Sequence, residues 1–286
     1  MLNKSLSGLI FGLILLVLAM YSIRITIIEP TLDAFTMMPG LKANGFLVLV
    51  CSIVSMIIAA WILIEKRNQR GFFIASAISM LGFIFLAKSS QVLLLAVFPI
   101  FIMGLIWFYQ INYRFQPWLG MTVKSLLIAA AFIFLLTFEP AFYRTYFAEQ
   151  KSLALFMLKI ISIYSAFIAL FFIVEKLLSD LYLNFKGTQN TGSMVQTFGE
   201  TYTRVTVTIF ILIMVAGIGY LQVLQLKNNS LRPFIYLLSL IQFPSLLILI
   251  LLYLPPSKEI FKILSVLTHL ILIGGTFSIS ILYYFA

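Results

Sequence analysis

Nine carboxylates are all the acidic side chains this 286-residue chain has, and only two of them, Asp33 and Asp180, are aspartates. That small pool limits metal chemistry, because magnesium demands several oxygen ligands and usually takes them from carboxylates. Glu65, Glu175, Asp180 and Glu200 are the acids that fall near connecting segments on one side of the chain. Scattered in this way they suffice for one ion but not for two coordinated clusters. The basic cluster Lys66, Arg67 and Arg70 offers the opposite chemistry, a cationic clamp for a phosphate or diphosphate. A short basic loop of this kind also serves simply to set membrane topology.

Other single residues carry weaker signals. His269 is the one histidine. A lone membrane histidine can relay protons, but no acid lies near it in its own run, and a hydrogen bond to a facing helix is the plainer reading. Lys159 reads as a side chain that snorkels to the headgroups. Glu175, Lys176 and Asp180 end an apolar run, where they either join a site or solvate the interface. The single cysteine, Cys51, excludes intramolecular disulfides and reads as a buried small side chain. No Walker motif, dinucleotide-binding glycine pattern, metal-type Cys/His spacing or nucleophile elbow is present.

The elements that must position these residues are membrane helices. Hydrophobic residues make up 62% of the chain and charged residues 10%, against about 45–50% and 25% in soluble domains. Runs long enough to cross a hydrocarbon core of about 30 Å recur throughout. They lack the alternation of barrel strands, so helices are the expected form. The runs lie at about 5–25, 46–64, 71–87, 91–111, 119–138, 153–178, 204–225, 233–254 and 260–284. Residues 1–286 thus read as a single transmembrane domain. The first run reads as a retained helix rather than a cleaved signal. Pro99 and Pro244 fall inside the fourth and eighth runs and predict kinks. Arg232-Pro233 and Pro255-Pro256 mark helix ends.

The net charge of +10 is spread over the ends of these runs, which fits anionic headgroups rather than nucleic acid. With the N-terminus inside, the inner side holds Lys4, Lys66, Arg67, Arg70, Arg114, Lys124, Lys176, Lys186, Arg204, Lys258 and Lys262. The outer side holds Arg24, Lys42, Lys88, Arg144, Lys151, Lys227 and Arg232. That excess predicts N-in, C-out, most simply in a bacterial inner (cytoplasmic) membrane. Trp107, Tyr109, Trp118, Tyr143, Tyr146, Tyr202, Tyr283 and Tyr284 read as an interfacial belt. The stretch 179–203 is the longest polar inner connection and is expected to sit at whatever site exists.

Three segments add a further signal. Residues 109–126, YQINYRFQPWLGMTVKSL, hold a tyrosine-rich basic stretch and then Pro117 and Gly120 in P-x-x-G spacing. Residues 175–188, EKLLSDLYLNFKGT, place Asp180 before Lys186-Gly187. Phe198-Gly199 and Thr203-Arg204 then lead into the seventh run. With nine runs, these segments resemble the UbiA-type polyprenyltransferases, loosely over the middle half of the chain. The resemblance implies a helical bundle around a cavity for a polyprenyl chain. It also implies a magnesium-diphosphate site at two aspartate-rich motifs. The first motif is absent: the second run ends IIAAWILIEKRNQRG, with Glu65 its only acid. In the second, Tyr182, Asn184 and Thr188 stand where acids are expected.

The resemblance with these departures implies a degenerate, non-catalytic relative. It would bind isoprenoid or membrane lipid, or serve as a subunit of a larger membrane complex. The residues expected at its site are Glu65, Lys66, Arg67, Arg70, Arg114, Glu175, Asp180 and Lys186. No catalytic residue, metal ligand or cofactor is assigned, and magnesium enters only if the protein is an active, divergent prenyltransferase. An unrelated transporter or accessory subunit is the remaining reading. It predicts intramembrane charges or paired broken helices, which are scarce in this sequence and count against it.

Overall fold

Long apolar runs with no water to satisfy their backbones close their hydrogen bonds internally, and the computed structural model is helical accordingly. It describes residues 2–30, 43–90, 92–139, 142, 151–188, 192–227 and 231–285. Among the described residues, nine helices are long and apolar enough to cross a membrane, and the protein is an all-α polytopic membrane protein. Its helices are α1 (Leu2–Ile23, continued by a π turn over Arg24–Ile28), α2 (Ala43–Lys66), α3 (Gln69–Ser89), α4 (Val97–Ile111) and α5 (Pro117–Thr137). They continue as α6 (Lys151–Phe185), the short α7 (Met194–Phe198), α8 (Glu200–Lys227), α9 (Leu231–Leu237), α10 (Phe243–Leu252) and α11 (Lys258–Phe285). A π turn over Leu238–Gln242 joins α9 to α10, making one crossing of the pair.

By its contacts the chain divides into two compact units, Met1–Tyr113 with Leu126–Ala166, and Arg114–Ser125 with Phe167–Ala286. In the first unit, small residues let α2 and α3 approach closely, the usual device for packing helices in lipid. Ser79 Oγ donates to Ser52 O at 2.8 Å and Ser55 Oγ to Ala75 O at 2.9 Å. A Cβ on Gly82 would stand 2.0 Å from Ser52 Oγ, so glycine is what permits the contact. Phe83, fully buried, meets Phe134 and Phe138 at ring distances of 5.3 and 5.0 Å. Arg24 donates to Glu29 across the π turn at 2.6 Å and lies 4.4 Å over the Phe46 ring.

The second unit is built on one apolar core. Phe171, Leu177 and Leu181 of α6, Met194 and Val195 of α7, Val207 and Ile211 of α8, and Leu264 and Leu267 of α11 all contribute. The π turn at 238–242 has a local cause. Pro244 has no N–H, and its ring would collide with the carbonyl four residues back in a regular helix. Phe243 N–H instead bonds Leu238 O, a wider turn that relieves the collision. Gly274 of α11 closes on this segment, where a Cβ would meet Leu240 Cβ at 3.0 Å and Leu240 O at 3.2 Å. Tyr236 OH donates to Gly274 O at 2.7 Å and fixes the register.

Some expectations are corrected. Pro99 lies in the first turn of α4, after a 3-10 turn over Leu93–Ala96, so it starts a helix rather than kinking one. Cys51 is exposed, not buried: it sits on the outward face of α2, while Ser52 and Ile53 turn inward. Tyr109, near the end of its crossing helix, is buried. The sixth run does not stop at 178, because α6 continues to Phe185. The polar composition of 179–185 hid a helix whose inner face is still apolar through Leu181. Lys42, Tyr143, Arg144, Tyr146 and the centre of the 179–203 stretch lie outside the described residues.

Candidate functional site

The residues singled out from sequence fall in both units. Glu65, Lys66, Arg67 and Arg70 belong to the first. All four are exposed at the tight turn between α2 and α3. Arg67 takes the left-handed conformation (φ +50°) that ends α2, a position glycine usually fills. Asn68 then caps α3, its side chain accepting from Gly71 N–H at 3.0 Å. Lys66 Nζ rests 5.2 Å over the Trp61 ring. The turn therefore displays three cations on a short, well-defined backbone.

Arg114, Glu175, Asp180 and Lys186 belong to the second unit. Asp180 is buried to 2% exposure. Its Oδ1 accepts from Lys176 Nζ at 2.5 Å and its Oδ2 accepts from the Met194 backbone N–H at 3.2 Å. Both oxygens are thus engaged, one by the preceding helical turn and one by the start of α7. The carboxylate latches the polar connection to α6. Lys186 lies 4.3 Å over the Tyr182 ring. Gly187, at φ +69°, ends α6 in a left-handed cap, with Thr188 N–H bonded to Leu183 O at 3.0 Å.

The backbone of Arg114 is also part of this assembly. Gly192 (φ +83°) presses against it so closely that a Cβ would stand 2.5 Å from Arg114 O and 3.1 Å from Phe115 Cα. Residues 192–199 are therefore seated by Asp180 on one side and by the 114–115 backbone on the other. Met194 and Val195 are buried beneath it. Nearby, Arg204 donates from Nε and Nη2 to Glu200 and from Nη1 to Leu252 O at 2.6 Å. It thereby satisfies a carbonyl at the end of α10 that has no helical partner. The apolar crevice beside Arg204, lined among others by Leu181, Pro256 and Phe261, has a volume of about 10 Å³. That is room for one water and not for an isoprenoid chain.

Two ionisable residues not expected at the site, Lys124 and His269, share the second unit with Glu175. Lys124 of α5, Glu175 of α6 and His269 of α11 lie within crossing helices of the second unit. All three side chains are exposed. His269 Nδ1 meets Ser265 O of its own helix at 2.5 Å.

The resemblance residues have local duties as well. Pro117 opens α5 and Gly120 N–H bonds Gln116 O at 2.7 Å; Gly199 (φ +90°) separates α7 from α8. Among the described residues, no three His, Cys, Asp or Glu side chains gather where they could hold a metal ion. No protein-family model, curated protein or solved structure matches the chain.

Proposed function

We propose that this is a degenerate, non-catalytic relative of the UbiA-type polyprenyltransferases, a lipid- or isoprenoid-binding protein of a bacterial inner membrane with its N-terminus inside. The observation that carries the reading is Asp180. In the resemblance it is the surviving member of an acidic motif that would hold magnesium and a diphosphate. Here both of its oxygens serve a structural latch, so the residues do not fit the ion and no ionisation step is derived through it. The exposed cations Lys66, Arg67 and Arg70 support recognition of an anionic headgroup, each contributing about 1 kcal/mol near a membrane surface.

The test has two arms. Purified protein is incubated with magnesium, allylic diphosphates of several lengths, and aromatic and glycerol-phosphate acceptors. No prenyl transfer is expected, and turnover abolished by Asp180→Ala would favour an active, divergent enzyme instead. In parallel, native mass spectrometry should show retained lipid that falls when Lys66, Arg67 and Arg70 all become alanine. Absence of any retained lipid would refute the binding role.

A second reading, a transporter or accessory subunit, draws support from two features. One crossing in each unit is interrupted by a π turn, at 24–28 and at 238–242, and Lys124, Glu175 and His269 place ionisable groups within crossing helices. Solute flux in proteoliposomes that Glu175→Gln abolishes would move this reading to first place.

A further inference from the structure

We propose that the turn between α2 and α3 selects a membrane lipid whose headgroup is a phosphate monoester, of the phosphatidate class, and holds its dianion among Lys66, Arg67 and Arg70. This rests on the lipid-binding reading above and names the headgroup that the basic turn of the first unit takes.

Placement comes first. α2 is a crossing that ends at Lys66 and α3 is one that begins at Gln69. The residues between them therefore lie where hydrocarbon gives way to headgroups. Aromatic rings mark the same level. Lys66 Nζ lies 5.2 Å over the Trp61 ring, and Trp107 of α4 packs on Phe72 and Phe73 at ring distances of 5.6 and 5.3 Å. The backbone of the turn is held by the protein itself. Asn68 N–H bonds Ile62 O at 3.3 Å, Phe72 N–H bonds Asn68 O at 3.1 Å, and a Cβ on Gly71 would stand 3.0 Å from Ile62 Cγ2.

Arg67 is the sharpest sign. Among the described residues it is the one residue other than glycine with a positive φ, the others being Gly187, Gly192 and Gly199. Glycine takes that conformation without steric cost. An arginine there adds nothing to the backbone, and what it does add is an exposed guanidinium. Lys66 and Arg70 are exposed on either side of it. Among the described residues none of the three meets a carboxylate.

Charge and donor geometry then select the ligand. Three cations against Glu65, the one acid of the turn, leave two positive charges. No acid stands in the first turn of α3, nor in residues 107–111 of α4 beside it. A phosphate monoester carries close to two negative charges above its second pKa of about 6, and it presents three acceptor oxygens. Two guanidinium forks and one ammonium match those oxygens. A phosphodiester headgroup offers a single charge and two free oxygens, which leaves one cation unmatched.

The experiment incubates the full chain in detergent with an equimolar mixture of phosphatidate, phosphatidylglycerol and cardiolipin. Mass spectrometry then reads the lipids retained after washing, at about pH 7.5 and about pH 5, on either side of the monoester's second pKa. At the higher pH phosphatidate should exceed phosphatidylglycerol roughly tenfold, the size of one charge-assisted hydrogen bond. Lysine and arginine stay charged over this range, whereas the monoester loses its second charge as pH falls. The preference should therefore shrink several-fold at the lower pH. Arg67→Gly suits the left-handed turn, so it should cut the preference several-fold without lowering the unfolding temperature. Arg67→Lys keeps the charge but not the fork, and should keep part of the preference. A phosphatidate-to-phosphatidylglycerol ratio near one, a ratio that ignores pH, or one unmoved by Arg67→Gly overturns the proposal. Cardiolipin retained above phosphatidate would mean two diesters rather than one monoester, and overturns it too. If phosphatidate and phosphatidylglycerol are retained alike, and both are lost when all three basic residues become alanine, the broader anionic-headgroup reading survives that failure. If no lipid of any class is retained, both fall.

Discussion

Replacing Asp180 tests whether this residue is a latch or a catalytic remnant. Asp180→Ala removes the acceptor for Met194 N–H and the partner of Lys176. The Met194 backbone is buried at 1% exposure, so its orphaned N–H costs about 1–3 kcal/mol. Lys176 keeps 31% of its side-chain surface and can turn to water, which limits the ion-pair part to under about 1 kcal/mol. The expected loss is therefore about 1–4 kcal/mol, on the whole smaller than the roughly 3–5 kcal/mol of a fully buried pair. Asp180→Asn keeps an oxygen for Met194 and should lose only about 1 kcal/mol. The loss should be local, releasing the 186–199 segment, so trypsin should cut at the exposed Lys186 faster in Asp180→Ala than in Asp180→Asn. Thermal unfolding in detergent gives the global figure. Equal cleavage rates and unchanged unfolding in both variants would refute the latch.

Other expectations follow from the same geometry. Gly192→Ala places a methyl 2.5 Å from Arg114 O in a left-handed backbone, and should cost about 2–3 kcal/mol in thermal unfolding. Gly82→Ala drives a methyl onto Ser52 Oγ and should cost about 1–3 kcal/mol. Ser52→Ala in the same chain should recover part of that loss, a coupling that a double-mutant cycle measures. A cysteine at Gln69, in a Cys51→Ala background, should react with membrane-impermeant reagent only from the inner side; labelling in intact cells would reverse the proposed orientation.

Much of the architecture was legible along the chain because its causes are local. The length of an apolar run determines whether it crosses, and Pro117, Gly187 and Pro255-Pro256 stand at helix boundaries, since a missing N–H or a left-handed backbone acts on its immediate neighbours. The expected site residues were legible only as residue types. Nothing in EKLLSDLYLNFKGT distinguishes an Asp180 that binds a metal from one that holds Met194. The deciding contact reaches 14 residues along the chain.

What only the tertiary structure decided is which way each helix face turns and what meets it. Cys51 and Ser52 are adjacent, yet one is exposed and the other buried against α3. Both residue types suit an apolar run, so composition carries no preference between them. Asp180 looks like an isolated acid in sequence and meets Met194 N–H only through packing. A charge near the membrane interior is costly alone and tolerable beside a partner. That partner is chosen by the contacts of whole helices, which no single segment encodes.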